Sequence, residues 1–181
     1  GEEFGSGMLS LTSEMTKSVN AVLGCSGDYY SYRRRGLTIV NGQAKKYVTG
    51  LPDTCYINAE GDLILERDQQ FADLEAVQAY ADENDIQFSL SFGPILVKDG
   101  ENVCPKGYDL GEVKERYSRA AICQMDKLHY LMATANTEGA YQHVPTLHQF
   151  TTTLEATAQD SRNDCISTLA VLAAGLAEYF F

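Results

Sequence analysis

Ser91-Phe92-Gly93-Pro94-Ile95-Leu96-Val97-Lys98-Asp99-Gly100 sets three consecutive apolar residues between a Gly-Pro corner and an Asp-Gly turn. A short apolar run bounded by turn residues is the pattern of a buried strand, delivered here from a tight bend. Working outward, the same pattern recurs on both sides. Leu37 to Val40, the pair Asn41-Gly42, and Gln43 to Val48 read as a hairpin, because Asn-Gly supplies the positive φ angles of a type I′ turn. Cys55 to Asn58 and Leu63 to Glu66 read as a second hairpin, turning at Glu60-Gly61. Ile86 to Phe92, Ala120 to Met125 and Leu128 to Ala135 read as further strands, and Ile166 to Leu172 with Ala177 to Phe181 as closing ones. Near the start, Ala21-Val22-Leu23 reads as a buried strand feeding a Gly24-Cys25-Ser26-Gly27 corner.

Helical spacing is confined to three places. Ser13 or Thr12 is placed to cap a short helix through about Asn20. Asp68 to about Asp82 carries Phe71, Leu74, Val77 and Ala81 on one stripe, which predicts an amphipathic helix on a sheet. Leu147 to Ala158 predicts a second long helix. Strands that outnumber helices and are joined by hairpins predict an α+β domain, with a mixed, mainly antiparallel sheet and two long helices packed on it. No G-x-G-x-x-G follows a strand and no G-x-x-x-x-G-K-[ST] occurs, so nucleotide-binding motifs are absent.

A chain of 181 residues suits one domain, which buries roughly 70% of the surface its unfolded chain exposes, so its core requires neither metal nor disulfide. Residues 13–181 are read as that domain, and 1–12, rich in small and polar residues, as a linker or cloning remnant. Lys and Arg number 14 against 25 Asp and Glu, net charge −11, which argues against nucleic acid or an anionic membrane as partner. The sequence is read as holding neither an apolar run long enough to span a membrane nor a signal peptide of its own. No cofactor motif and no metal-ligand spacing is found. His143 and His148 flank Pro145, and His129 lies in a strand, so the histidines read as structural. The five cysteines form no C-x-x-C pair. Cys25, Cys123 and Cys165 lie in apolar runs and read as small buried hydrophobes, whereas Cys104, beside Pro105 and Gly107, is the best placed for a bridge or a reactive thiol.

Three stretches carry chemistry. Ser26-Gly27-Asp28-Tyr29-Tyr30 places a glycine corner, a carboxylate and two rings able to stack on a sugar together. Arg33-Arg34-Arg35 is the densest positive charge, readable as a phosphodiester attractant or as a solvated turn. Ser118-Arg119-Ala120-Ala121-Ile122-Cys123 begins a strand with a single arginine, which by itself reads as an exposed strand-entry side chain.

The first and last of these, with Ser91 to Gly100, resemble the phosphodiester glycosidase family, whose mammalian member uncovers mannose 6-phosphate by removing N-acetylglucosamine. The resemblance spans about residues 13 to 181. It implies that Gly27, Tyr29, Gly93 and Arg119 bind ligand, with Arg119 holding the phosphate, and that Asp28 supplies a catalytic carboxylate if the domain is active. It also implies an extracellular or cell-surface setting, a phosphorylated or anionic glycan as partner, and neighbouring domains in a larger protein, of which this chain would be a trimmed part. Two further family landmarks are altered. A Val-Asp-Gly-Arg turn falls on Thr134-Ala135-Asn136-Thr137, and an Asn-Leu-Asp-Gly-Gly-Gly-Ser segment falls on Val171-Leu172-Ala173-Ala174-Gly175-Leu176-Ala177. Glycosyl transfer to water needs proton transfer and stabilisation of a positive sugar ring, and alanine supplies neither. The expectation is therefore a pseudoenzyme with a retained cleft. Its rivals are an active hydrolase using Asp28 and an interaction or scaffold domain without ligand.

Overall fold

The computed structural model describes residues 11–25, 27, 34–50, 53–108, 116, 118–135 and 145–158, and the backbone of 164–168. Its elements are α1 (Thr12–Ser18), β1 (Gly36–Val40), β2 (Gln43–Val48), β3 (Thr54–Asn58), β4 (Leu63–Glu66), α2 (Leu74–Glu83) and β5 (Ile86–Leu90). They continue with β6 (Ile95–Lys98), β7 (Glu101–Asn102), β8 (Arg119–Asp126), β9 (His129–Ala135), α3 (Leu147–Ala158) and β10 (Asp164–Thr168). The strands form two five-stranded sheets, ordered β2-β1-β5-β3-β4 and β7-β6-β10-β8-β9. Their pairings are antiparallel. The mainly antiparallel α+β class holds, but the single sheet of the sequence reading becomes two.

The reason lies in what each strand face packs against, since neighbouring strand residues point to opposite faces. Along β3, Tyr56 joins Leu37, Ile39, Val77, Ala81 and Ile86 in a core under α2, while Cys55 joins Leu63, Leu65, Ile95 and Ile122 between the sheets. Along β8, Ala121 and Cys123 pack with Leu147, Phe150 and Leu154 of α3, and Ile122 points the other way. Both faces of each sheet are thus apolar in part, and each must be covered. The result is four layers, with a helix outside each sheet and the sheets face to face.

Several elements differ from expectation. The packed helices are modest, 10 residues for α2 and 12 for α3. Helix α2 starts late because Asp68 has φ +58° and the Phe71 N–H and C=O are bonded to the Tyr47 hydroxyl, at 2.9 and 2.7 Å. Asp73 then caps the helix, its Oδ1 accepting from the Ala76 N–H at 2.8 Å. Helix α1 is capped at Leu11 rather than by Ser13 or Thr12, and buries none of its side chains. Ala21-Val22-Leu23 is neither strand nor core: Val22 is fully exposed. Among the described residues no strand pairs with the apolar triplet, and apolarity alone does not make a sheet. Of the closing strands, β10 covers 164–168, and the remainder to Phe181 lies outside the described residues.

The cysteine reading is also corrected. Cys123 is disulfide-bonded, and the β8–β10 register sets Cys165 directly opposite it. Cys104 keeps its thiol. Among the described residues no helix is long and apolar enough to cross a membrane.

These layers fix the expected cost of trimming each apolar residue. Ile95, 2% exposed between the sheets, should lose about 2–5 kcal/mol of stability as Ile95→Ala in urea denaturation. Val22→Ala should fall within about 0.5 kcal/mol of the parent. Equal losses would contradict this placement of the core.

Candidate functional site

The chain passes from the first sheet to the second at Phe92-Gly93-Pro94, between the end of β5 and the start of β6. Gly93 has φ +69°, a conformation that side chains with a Cβ rarely adopt, and its peptide to Pro94 is cis. A Cβ at this position would lie 2.5 Å from the Tyr108 hydroxyl and 2.6 Å from Asp53 Cβ. Glycine is therefore required for two reasons, backbone angle and space.

Asp53, 4% exposed at the start of β3, organises this corner. Its Oδ2 accepts from the Ile95 N–H at 2.7 Å. Arg67 Nε donates to Oδ1 and Oδ2 at 3.4 and 3.2 Å, and Arg67 Nη2 donates to Oδ2 at 3.2 Å. The same Nη2 reaches the carbonyls of Ile95 and Val103, each at 3.3 Å. From the other side the Tyr108 hydroxyl accepts the Asp53 N–H at 2.8 Å and donates to the Phe92 carbonyl at 2.7 Å. A bond between the Thr54 and Ser91 hydroxyls, 2.9 Å long, closes the group. A polar group taken from water is costly unless bonded, and here every named donor finds an acceptor.

Arg119 opens β8. Strands β6 and β8 both run antiparallel to β10, so they start from the same end, and Ile95 and Ile122 both stand opposite Ile166. Gly93 and Arg119 are thereby brought to one end of the second sheet, with β10 between their strands, about 10 Å at sheet spacing. Arg119 is only 2% exposed, which removes the reading of it as an exposed side chain. In the register of β8 with β9 it faces Ala135 directly. Gly27 is half-buried, and Asp28 and Tyr29 lie outside the described residues, as does Arg33.

Cys104 lies in the same neighbourhood, packed against the α3 core. Burial pushes its thiol above the ordinary range, opposed by a hydrogen bond with Thr151 and by the Arg119 and Arg67 guanidinium groups. Among the described residues no three His, Cys, Asp or Glu side chains form a group that could hold a metal.

Sequence reasoning missed Asp53, Arg67 and Tyr108. They are separated along the chain and belong to no motif, and Asp53 resembles any polar residue ahead of a strand. The one usable signal was Gly93-Pro94 itself, since a tight corner between two buried strands must have its backbone groups satisfied from somewhere.

Two outcomes are expected. Gly93→Ala should cost at least about 2 kcal/mol in urea denaturation, from clash and left-handed strain together. Alkylation of Cys104 by iodoacetamide, followed by mass spectrometry against pH, should show a midpoint above that of the same thiol in the denatured chain. Thr151→Val should raise the midpoint further, because the opposing hydrogen bond is lost; a midpoint at or below the denatured value would contradict the arrangement.

Comparison with known proteins agrees with this architecture. The phosphodiester glycosidase profile matches residues 19–163. A solved structure, the zebrafish N-acetylglucosamine-1-phosphodiester alpha-N-acetylglucosaminidase catalytic domain auto-inhibited by its pro-peptide, superposes with a TM-score of 0.56 at 18% identity. The match covers 80% of this chain and 49% of that one, so the chain spans about half the length of this relative. A search of curated protein sequences gives no match. With the profile covering well over half of its 181 residues, the chain belongs to the phosphodiester glycosidase family.

Proposed function

We propose that the domain is a degenerate phosphodiester glycosidase, one that retains a cleft for a phosphorylated or anionic glycan but does not turn it over efficiently. The observation that carries this reading is the pairing of Arg119 with Ala135. The resemblance sets the carboxylate of the family's Val-Asp-Gly-Arg turn at position 135. Directly paired residues of an antiparallel sheet sit with Cα atoms about 4.5–5.5 Å apart and share a face, so a carboxylate there would stand beside the guanidinium. Here a methyl group does. Losing one general acid or base typically lowers rates by about 10²–10⁴, and Ala173 and Ala177 remove further polar groups from the last family landmark. Gly27, Tyr29, Gly93 and Arg119 are the proposed ligand contacts, and Asp28 is the carboxylate of an active form.

Burial of Arg119 refines the reading. A phosphate reaches its guanidinium only if the residues covering it move, and substitution by alanine would empty a buried site as well as remove a ligand group. Arg119→Ala is therefore a poor probe, and Arg119→Lys, which keeps the charge but not the two-pronged hydrogen bonding, is the informative one. The disulfide at Cys123 supports an oxidising, extracellular or cell-surface setting.

The test is calorimetric titration with a methyl diester of N-acetylglucosamine 1-phosphate, paired with a hydrolysis assay. Binding without appreciable turnover is expected, weakened about tenfold or more in Arg119→Lys, the loss of one charged hydrogen bond. Efficient turnover abolished by Asp28→Asn would establish the active hydrolase instead. Absence of binding would remove the cleft and favour an interaction domain.

A further inference from the structure

Two guanidinium groups influence the Cys104 thiol, and they differ in access. Arg119 is buried, whereas the Arg67 side chain is 40% exposed. The bonds of Arg67 fall on one side of its fork. Nε and Nη2 are engaged by Asp53 and by the carbonyls of Ile95 and Val103. Nη1, with its two N–H donors, has no hydrogen-bond partner among the described residues. The plane of the guanidinium is set by a buried carboxylate and the carbonyls of Ile95 in β6 and Val103 just past β7, and its other edge carries none of these bonds.

From this geometry we propose that Arg67 is an anion-binding residue, presenting Nη1 to an oxygen of a phosphate ester or carboxylate. A guanidinium normally loses side-chain freedom when it binds an anion, and here much of that freedom is already lost to Asp53. Preorganisation of this kind favours binding without any new contact. Lys98 donates from Nζ to the Leu65 carbonyl at 3.0 Å, two residues before Arg67, and adds positive charge on this side. Glu101, opposite Lys98 in the β6–β7 register, offsets part of it. Asp53 balances the formal charge of Arg67, so the attraction is a short-range, donor-to-oxygen one. Weak, millimolar binding of a free anion is the expected scale, with a sugar adding the remaining contacts.

The inference deepens the glycan reading and rests on it only for the identity of the ligand. Its test uses the wild-type, 15N-labelled protein and the arginine Nε–Hε signals, titrated at constant ionic strength with inorganic phosphate, N-acetylglucosamine 1-phosphate and neutral N-acetylglucosamine. The Arg67 signal, identified by its loss in Arg67→Lys, should shift saturably with both phosphates and stay still with the neutral sugar. Arg67→Lys keeps a cation against Asp53 and should weaken phosphate binding at least about fivefold, read from the Ile95 and Val103 amides, with other signals unchanged. Should that variant fail to fold, the wild-type titration still decides. An Arg67 signal unmoved by phosphate overturns the proposal. Saturable phosphate binding at Arg67 without any sugar phosphodiester binding keeps this inference and overturns the glycan reading. Sugar phosphodiester binding that leaves Arg67 unmoved does the reverse.

Discussion

Asp53 places a carboxylate, 5% exposed, at the point where the chain leaves one sheet for the other, and the arrangement of that junction follows from satisfying it. Its oxygens need donors, and the Ile95 N–H and Arg67 provide them. Meeting the first fixes where β6 begins. Meeting the second draws the end of β4 over the carbonyls of Ile95 and Val103. The backbone N–H of the same residue holds Tyr108, which in turn holds Phe92. The corner glycine is then enclosed so closely that no other residue fits. A single buried charge thus ties the two sheets together at this junction.

A second contact between the sheets lies at the turn of the β3–β4 hairpin. The Gln124 side chain accepts from the Leu63 N–H at 2.7 Å and donates to Asp62 Oδ1 at 2.9 Å, and the Tyr130 hydroxyl donates to the Gly61 carbonyl. A Cβ on Gly61 would lie 2.6 Å from that hydroxyl. The sandwich is therefore held by polar clasps at both ends of β4, with the apolar core of Cys55, Leu65, Ile95 and Ile122 between them. Apolar burial supplies the driving force, and the clasps select one relative placement of the sheets.

What the sequence made legible was local. Asn41-Gly42 and Glu60-Gly61 carried both early hairpins, because the backbone angles of such turns are restricted to few residues. The stripe of α3 was read to its observed limits, and that of α2 too long, since Phe71 reaches the same core from a non-helical segment held by Tyr47. The division into two sheets was not legible. Ile95-Leu96-Val97 is apolar at every position, so alternation cannot say which face it turns to which layer, and strand order is a matter of distant contacts. Arg119 and Gly93 were singled out through the family resemblance, while Asp53, Arg67 and Tyr108 were not, because their partnership exists only in three dimensions.

Strand β10 lies between β6 and β8, and those two strands do not pair with each other. The first sheet, by contrast, is assembled from the contiguous stretch Gly36 to Leu90. During synthesis the N-terminal half can therefore complete its own pairings while the other half waits. Until the ribosome has released residues 164–168, β6 and the β8–β9 hairpin each present an unpaired edge with no neighbour to fill the gap. A growing chain in that condition exposes strand edges open to wrong partners, and the second sheet inherits the slow, long-range closure typical of non-local β pairing.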